Sequence, residues 1–198
     1  TEERGRLVYQ DETGLLDLPP PALMGAHQFQ NAGAALAGLR ALGLPETSYE
    51  AAVTQAKWPA RMQKLAHGPL LDAAPQAELW LDGGHNPACG ATLAEALTRL
   101  PKRPTYMICG MLNTKDIGGY LAPVAPHITA LHAVSIPGEA NTLPAATTAK
   151  AAEAVGMQAQ TAETTAAALA QITAQEPAAR VLICGSLYLA GHILRTHG

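Results

Sequence analysis

Along residues 28–42 the apolar positions Phe29, Ala32, Ala35, Leu36, Leu39 and Leu42 recur at near-helical spacing, and Gly43 then breaks the pattern. That spacing predicts a helix stopped by a glycine. Ahead of it, Arg6-Leu7-Val8-Tyr9 and Gly14-Leu15-Leu16-Asp17-Leu18 read as short strands leading into the proline run Pro19-Pro20-Pro21. A second short helix, residues 49–56, runs into Lys57-Trp58-Pro59, where proline disfavours helix in the residue before it. A domain boundary is placed there. One hairpin-like piece and two helices bury too little apolar surface for an independent core, so residues 1–56 are expected to be the end of a larger domain, followed by a linker at 57–65 and a second domain at 66–198.

Beyond the boundary the pattern changes. Short apolar runs at Glu78–Leu81, 106–109, 128–134 and 181–184 alternate with helical stretches at 87–100, 117–124, 145–155, 162–174 and 187–195, with a further short strand near 157–160. Alternation of this kind predicts an α/β fold, a mostly parallel, Rossmann-like sheet with helices on both faces. Two of the runs end alike, as Met107-Ile108-Cys109-Gly110 and Leu182-Ile183-Cys184-Gly185, with glycine where the chain must turn off a buried strand. The alanine-rich tract from 145 to 174 reads as ordinary helix and turn, alanine being the best helix former.

Composition narrows the classes. The 198 residues are 48% hydrophobic and 15% charged, the profile of a chain that packs a core. A net charge of -3 gives no broad electropositive surface for a phosphate backbone, which sets nucleic acid aside. No apolar stretch approaches the roughly 20 residues of a membrane span, and Thr1-Glu2-Glu3-Arg4 does not resemble a signal peptide, so a cytoplasmic protein is expected. Cys89, Cys109 and Cys184 lack C-x-x-C spacing and are read as small buried hydrophobes, with no metal site.

Candidate chemistry centres on Leu79-Trp80-Leu81-Asp82-Gly83-Gly84-His85-Asn86-Pro87, a buried-strand pattern ending in an acid, two glycines, a histidine and a helix start. Asn86 suits an N-cap and Pro87 the first helical position, so the turn presents Asp82 and His85 at the carboxyl edge of the sheet, where ligands of open α/β sheets bind. A carboxylate there accepts from sugar hydroxyls and an imidazole contacts a base or phosphate; the pattern is also met if both side chains only cap the turn. In Gly25-Ala26-His27-Gln28-Phe29-Gln30-Asn31-Ala32, helical spacing puts His27 and Asn31 on one face, where an amide can read a purine edge, or where Asn31 is simply solvated. Arg61, in Trp58-Pro59-Ala60-Arg61-Met62-Gln63, is placed to clamp a phosphate or to be an ordinary surface arginine. Gly110-Met111-Leu112-Asn113-Thr114-Lys115-Asp116 follows a strand but is no P-loop, because G-x-x-x-x-G-K-S/T needs a second glycine before the lysine and a hydroxyl after it. His127, His132, His192 and His197 lack an H-E-x-x-H context and are read as structural or exposed.

In this order the segments resemble the folylpolyglutamate synthase/dihydrofolate synthase family of the Mur ligase superfamily. That family has an H-Q-x-x-N-A helix start, then W-P-G-R, then D-G-A-H-N-P, then a glycine-to-K-D stretch after the next strand. Here they stand as His27-Gln28 with Asn31-Ala32, Trp58-Pro59-Ala60-Arg61, Asp82-Gly83-Gly84-His85-Asn86-Pro87 and Gly110 through Lys115-Asp116, and the likeness extends to Cys184-Gly185-Ser186-Leu187-Tyr188. Ala60 replaces the usual glycine and Gly84 the usual alanine, and neither departure removes a functional group.

The resemblance implies that residues 1–56 are the remnant of a central ATP-binding domain and that 66–198 form the complete C-terminal domain. It places the P-loop, the magnesium ligands and most of the folate site in a portion that these residues do not include. It assigns Asn31 to the adenine, Arg61 to the ATP phosphates and Asp82 to the ribose. Arg61 and His85 would serve catalysis, with Lys115 and Asp116 near the substrate. The implied reaction uses ATP and Mg2+ to phosphorylate a carboxylate of dihydropteroate or of a folate's glutamyl tail, and L-glutamate attacks the acyl phosphate. A monomeric cytoplasmic enzyme is implied, with these residues alone inactive and the C-terminal domain acting as a lid. The competing expectation is a non-catalytic nucleotide- or substrate-binding module; a nicotinamide oxidoreductase has only fold analogy behind it.

Overall fold

The computed structural model describes residues 1–197, and the chain divides into two compact units, Thr1–Pro59 and Ala60–Gly198. In the first, β1 (Glu2–Glu3), β2 (Arg6–Asp11) and β3 (Gly14–Leu18) form an antiparallel sheet in that order. The turn between β2 and β3 is tied by Asp11, whose carboxylate accepts from Thr13 N and Oγ1 at 2.9 and 2.7 Å. Helices α1 (His27–Ala41) and α2 (Tyr49–Thr54) complete a small core of Leu7, Leu36, Tyr49 and Val53. Helix α1 ends as its sequence predicts: Gly43 takes a positive φ of 70°, and the N–H groups of Gly43 and Leu44 return to the carbonyls of Arg40 and Leu39.

The second unit contains β4 (Gln63–Lys64), α3 (Pro69–Ala73), β5 (Glu78–Leu81), α4 (Pro87–Arg99), β6 (Thr105–Cys109), α5 (Ile117–Leu121), β7 (Ala130–Ala133), α6 (Ala145–Ala154), β8 (Ala159–Thr161), α7 (Thr165–Gln175), β9 (Arg180–Cys184) and α8 (Leu187–His197). Its six-stranded sheet has the order β4-β5-β9-β6-β7-β8, parallel throughout except for β4. The expected mostly parallel α/β sheet is therefore what the chain forms.

Period-two alternation divides the strands between two cores. Leu79, Leu81, Ile108, Val181 and Ile183 pack on one face with Leu70 of α3, Leu169 and Ile172 of α7 and Leu189 and Ile193 of α8. Trp80, Met107, Cys109, Leu182 and Cys184 pack on the other with Leu93 of α4, Tyr120 of α5 and Ala152 of α6. Every residue of β9 is buried because this strand lies in the middle of the sheet with helices above and below. The expected linker is divided: residues 60–65 are knit into the second unit, with Gln63 and Lys64 paired to Leu81 and Trp80.

Chain order creates the site. The sequence passes from β5 through α4 to β6, leaving a gap that β9 later fills. The loops after β5, β6 and β9 consequently emerge side by side at the carboxyl edge, the place where open parallel sheets bind ligands.

Candidate functional site

The loop after β5 is built around a buried carboxylate. Asp82, only 6% exposed, accepts from Met62 N through Oδ2 at 2.8 Å and from Gly84 N through Oδ1 at 2.7 Å. Gly83 donates its N–H to the Ala60 carbonyl at 2.8 Å, and Ala60 N donates to Gln63 Oε1 at 2.9 Å. Arg61 thus sits in a segment fastened on both sides, partly exposed, between Ala60 and Met62, whose φ angles of 55° and 42° lie in the left-handed region.

The next residues set a tautomer. His85 Nδ1 lies 2.8 Å from the Gly83 carbonyl oxygen, and a carbonyl only accepts, so Nδ1 carries the proton and Nε2 is left to accept in the neutral ring. Asn86, extended at φ -144°, caps α4 by accepting from Cys89 N at 2.9 Å, with Pro87 in the first turn. Both expectations for that pair are met.

The loop after β6 carries Lys115, which is exposed, and Asp116, whose Oδ1 accepts from Gly119 N at 2.9 Å and so caps α5. After β9 the chain turns at Gly185, with φ 102°; a Cβ there would lie 2.8 Å from the Gly110 carbonyl oxygen, so only glycine lets the two loops touch. Ser186 is buried, and its Oγ accepts from Tyr188 N at 3.0 Å, leaving the hydroxyl proton to donate.

His85, Leu112, Lys115, Gly185, Ser186, Leu187 and Tyr188 together line a cavity of about 140 Å³. That is well below the roughly 300–1,000 Å³ of pockets for large organic ligands and fits a small polar molecule. The structure therefore gathers His85 and Lys115 at one cavity. In the neighbouring loop pair Asp82 is bonded to the backbone N–H of Met62, the residue after Arg61, and Asp116 serves a helix terminus.

Ser186 and Tyr188 joined this set without having been singled out as site residues. The signal for them was the matching strand ends Cys109-Gly110 and Cys184-Gly185, which place the residues that follow at the same edge. Beneath the site, burial pushes the Tyr120 hydroxyl and the Cys184 thiol well above their ordinary values, so neither supplies a nucleophile at neutral pH. Cys109 is likewise buried, while Cys89 is partly exposed.

In the first unit, Asn31 is exposed on the first turn of α1 and donates through Nδ2 to Gln28 Oε1 at 3.0 Å, while Gln28 Nε2 lies 2.9 Å from His27 Nε2. His27, Gln28 and Asn31 form one hydrogen-bonded series on that turn. Among the described residues no group of three or more His, Cys, Asp or Glu side chains could hold a metal ion, and no helix is long and apolar enough to cross a membrane.

Residues 60–187 match the family described as Mur ligase, glutamate ligase domain. A probable bifunctional folylpolyglutamate synthase/dihydropteroate synthase of Halobacterium salinarum is 31% identical over 171 residues, covering 84% of this chain and 20% of that protein. A protein of the same description from Haloferax volcanii is 28% identical over 201 residues, covering 98% and 22%. Among solved structures, Escherichia coli FolC in complex with DHPP and ADP superposes with a TM-score of 0.76 at 25% identity, covering 94% of this chain and 42% of that one. Mycobacterium tuberculosis folylpolyglutamate synthase complexed with ADP gives a TM-score of 0.75 at 27% identity, covering 92% and 42%. The chain thus spans about a fifth of the curated relatives it matches and less than half of these solved chains.

Proposed function

The chain belongs to the Mur ligase family through its glutamate ligase domain, and on that premise we propose that it is the C-terminal portion of an ATP-dependent ligase that adds L-glutamate to dihydropteroate, to the glutamyl tail of tetrahydrofolates, or to both. Residues 1–56 are the end of the ATP-binding domain in this reading. The observation that carries it is the cavity at the ends of β5, β6 and β9, where His85, Lys115 and Ser186 meet.

The cavity's chemistry suits a small amino-acid carboxylate. Lys115 offers the charge, the Ser186 hydroxyl a donor, and the size admits a substrate no larger than an amino acid. In the reaction, the acceptor's carboxylate attacks the γ-phosphorus of ATP and releases ADP, and the glutamate amine then displaces phosphate from the acyl phosphate to form the amide. Proton and charge management fall to this chain's own groups. His85 Nε2, left as the accepting nitrogen, takes the proton that the glutamate ammonium must lose before it can attack. Arg61 neutralises charge on the phosphoryl group in transfer, and Asn31 reads the adenine edge. Asp82, expected at the ribose, is part of the same loop pair as Arg61. In this reading the magnesium ligands and the phosphate cradle belong to the part of the ligase outside these residues, so the 198 residues alone are expected to turn over neither ATP nor folate.

Titration of the 15N-labelled chain with L-glutamate tests the cavity directly. Amide shifts are expected to saturate in the millimolar range at His85, Lys115 and Ser186, the affinity of a few polar contacts, and Lys115→Ala is expected to weaken them by about tenfold. Shifts elsewhere, or none, would remove the glutamate site from this edge. In the longer ligase, Arg61→Ala is expected to lower kcat far more than it raises KM for ATP, since a charge needed in the transition state acts on turnover.

A further inference from the structure

We infer that the amino edge of the same sheet carries a second ligand site, a cationic cavity that binds the phosphate group of a small anion, either free phosphate or a phosphate monoester. It lies at the opposite end of the strands from the cavity already described. Arg180 opens β9, the 3-10 turn ending at His127 leads into β7, and Leu97 and Leu100 mark the end of α4. These residues, with Lys102 and Arg103, line a cavity of about 360 Å³. That falls within the roughly 300–1,000 Å³ of small-ligand pockets, although open parallel sheets ordinarily bind at their other edge.

Charge makes this an anion site. Lys102, Arg103 and Arg180 all belong to the lining, and none of the described residues lining it is acidic. Glu78 is the carboxylate that Arg103 and Arg180 reach, at 3.3 and 3.5 Å, and it is shared with Lys64 at 3.1 Å, so one negative charge serves three cations. Lys102 adds a fourth. The opposing influence is the carboxyl end of α4, which carries roughly half an elementary negative charge and cannot balance this excess. Arg180 is the buried part of the site. Its side chain is 4% exposed, and its hydrogen bonds both run through Nη2, to the Pro101 carbonyl at 3.0 Å and to Glu78 Oε2. Nε is buried without a hydrogen-bond partner. Buried polar groups are ordinarily satisfied, and a guanidinium with a donor to spare is suited to an oxyanion. A role as a tie between β5 and β9 accounts for Nη2, but for neither Nε nor the cations beside it. Three cations on one cavity match a ligand with more than one charge at a single centre, which a phosphate dianion has and a carboxylate lacks. Leu97 and Leu100 supply apolar wall for the organic part of an ester.

Inorganic phosphate, added to the 15N-labelled 198-residue chain at ionic strength held constant with chloride, is the direct probe. Saturable shifts are expected at the Lys102 and Arg103 amides and at the Arg180 Nε–H signal, with a dissociation constant of about 1 mM, the strength of a few charge-assisted contacts. Lys102→Gln and Arg103→Gln are each expected to weaken binding by about fivefold, as for loss of one such contact. Both residues are exposed and lie outside helix and strand, so these variants leave the buried Arg180 tie in place. Ribose 5-phosphate and succinate complete the series. Tighter binding of the sugar phosphate than of phosphate would identify an ester as the ligand and weaker binding the free ion, and either result upholds the site. Succinate, whose two charges sit on separate carboxylates, is expected to bind more weakly than phosphate by about tenfold. The absence of saturable shifts up to about 50 mM phosphate would overturn the inference. So would shifts that chloride alone reproduces, an affinity unchanged in both variants, or succinate binding as tight as that of phosphate.

Discussion

Gly90 tests the packing that holds the site loops in place. It lies in α4 against α5, and a Cβ built there would sit 2.2 Å from the Tyr120 carbonyl oxygen, 3.0 Å from its carbonyl carbon and 3.1 Å from Pro123 Cγ. Two effects oppose each other in Gly90→Ala. Inside a helix alanine is favoured over glycine by about 1 kcal/mol. Against this, the methyl meets backbone, which has no rotamer to change, so the helices must separate. Overpacking costs about 1–3 kcal/mol, and the upper end applies where the obstacle is main chain. The net expectation is a loss of about 2 kcal/mol, the difference between these two terms. Urea unfolding followed by Trp80 fluorescence reads this unit, because Trp80 is 5% exposed here while Trp58, in the first unit, is 62% exposed. With a slope of about 2 kcal/mol per molar urea, the midpoint should fall by about 1 M. The sign decides the matter: an unchanged or raised midpoint would mean that propensity wins and that the helices are not in this contact. Because α4 begins at the Asn86-Pro87 turn and α5 at Asp116, the same variant should also weaken L-glutamate binding at the cavity.

Stability of the second unit should depend on His132. Burial holds its pKa below the ordinary value, and its neighbours suit the neutral ring, with Gln171 Oε1 3.1 Å from Nδ1 and Gln160 Nε2 3.1 Å from Nε2. The unfolded chain therefore binds a proton first as pH falls, so stability should be complete above about 6.5 and decline below it until the folded pKa is reached; urea midpoints that do not fall between pH 7 and 5, or that fall equally in His132→Asn, would refute this. At Ala60, relief of a left-handed φ, about 1–2 kcal/mol, opposes about 0.4–1 kcal/mol of added unfolded-state freedom and about 0.8 kcal/mol of lost methyl burial, so Ala60→Gly should change stability by less than about 1 kcal/mol. A denaturation loss beyond about 2 kcal/mol would show that the methyl is held by packing and the backbone is not strained.

Most of the sheet was legible because each buried strand is a compact apolar run. The run at Glu78–Leu81 coincides with β5, and the runs at 106–109 and 181–184 each miss only one leading residue, Thr105 and Arg180, which are polar yet buried. The run at 128–134 shortens to Ala130–Ala133 because Ala125–His127 forms a 3-10 turn that feeds the strand late. Helix α7 starts at Thr165 rather than 162 because the Thr164 hydroxyl accepts from Ala167 N and fixes the cap. Neither β4 nor α3 could be read. Gln63 and Lys64 are polar and form a strand only because β5 offers an edge, and Pro69–Ala73 is too short to show a helical period.

The site was legible to the extent that chemistry follows strand ends. His85 and Lys115 were readable because each comes a few residues after an apolar run, and they share a cavity because β9 inserts between their strands. The bond between Asp82 and Met62 had no such signal, since it spans 20 residues and one partner is a backbone N–H. A trace of it was nonetheless present. A motif that usually has glycine where this chain has Ala60 marks a position that favours positive φ, and the structure puts 55° there. Alanine is tolerated because the neighbouring hydrogen bonds hold the conformation that glycine would adopt at lower cost. A second departure lies across the same carboxylate. At Gly84, where the family has alanine, a Cβ would come within 2.8 Å of Asp82 Oδ1 and 3.0 Å of Cys89 Cβ. Both substitutions thus fall on the two backbone segments that Asp82 joins, and each alters the room or the strain around one carboxylate. The two departures that looked independent along the chain therefore bear on the same physical element, the carboxylate that ties the Met62 backbone to the loop after β5.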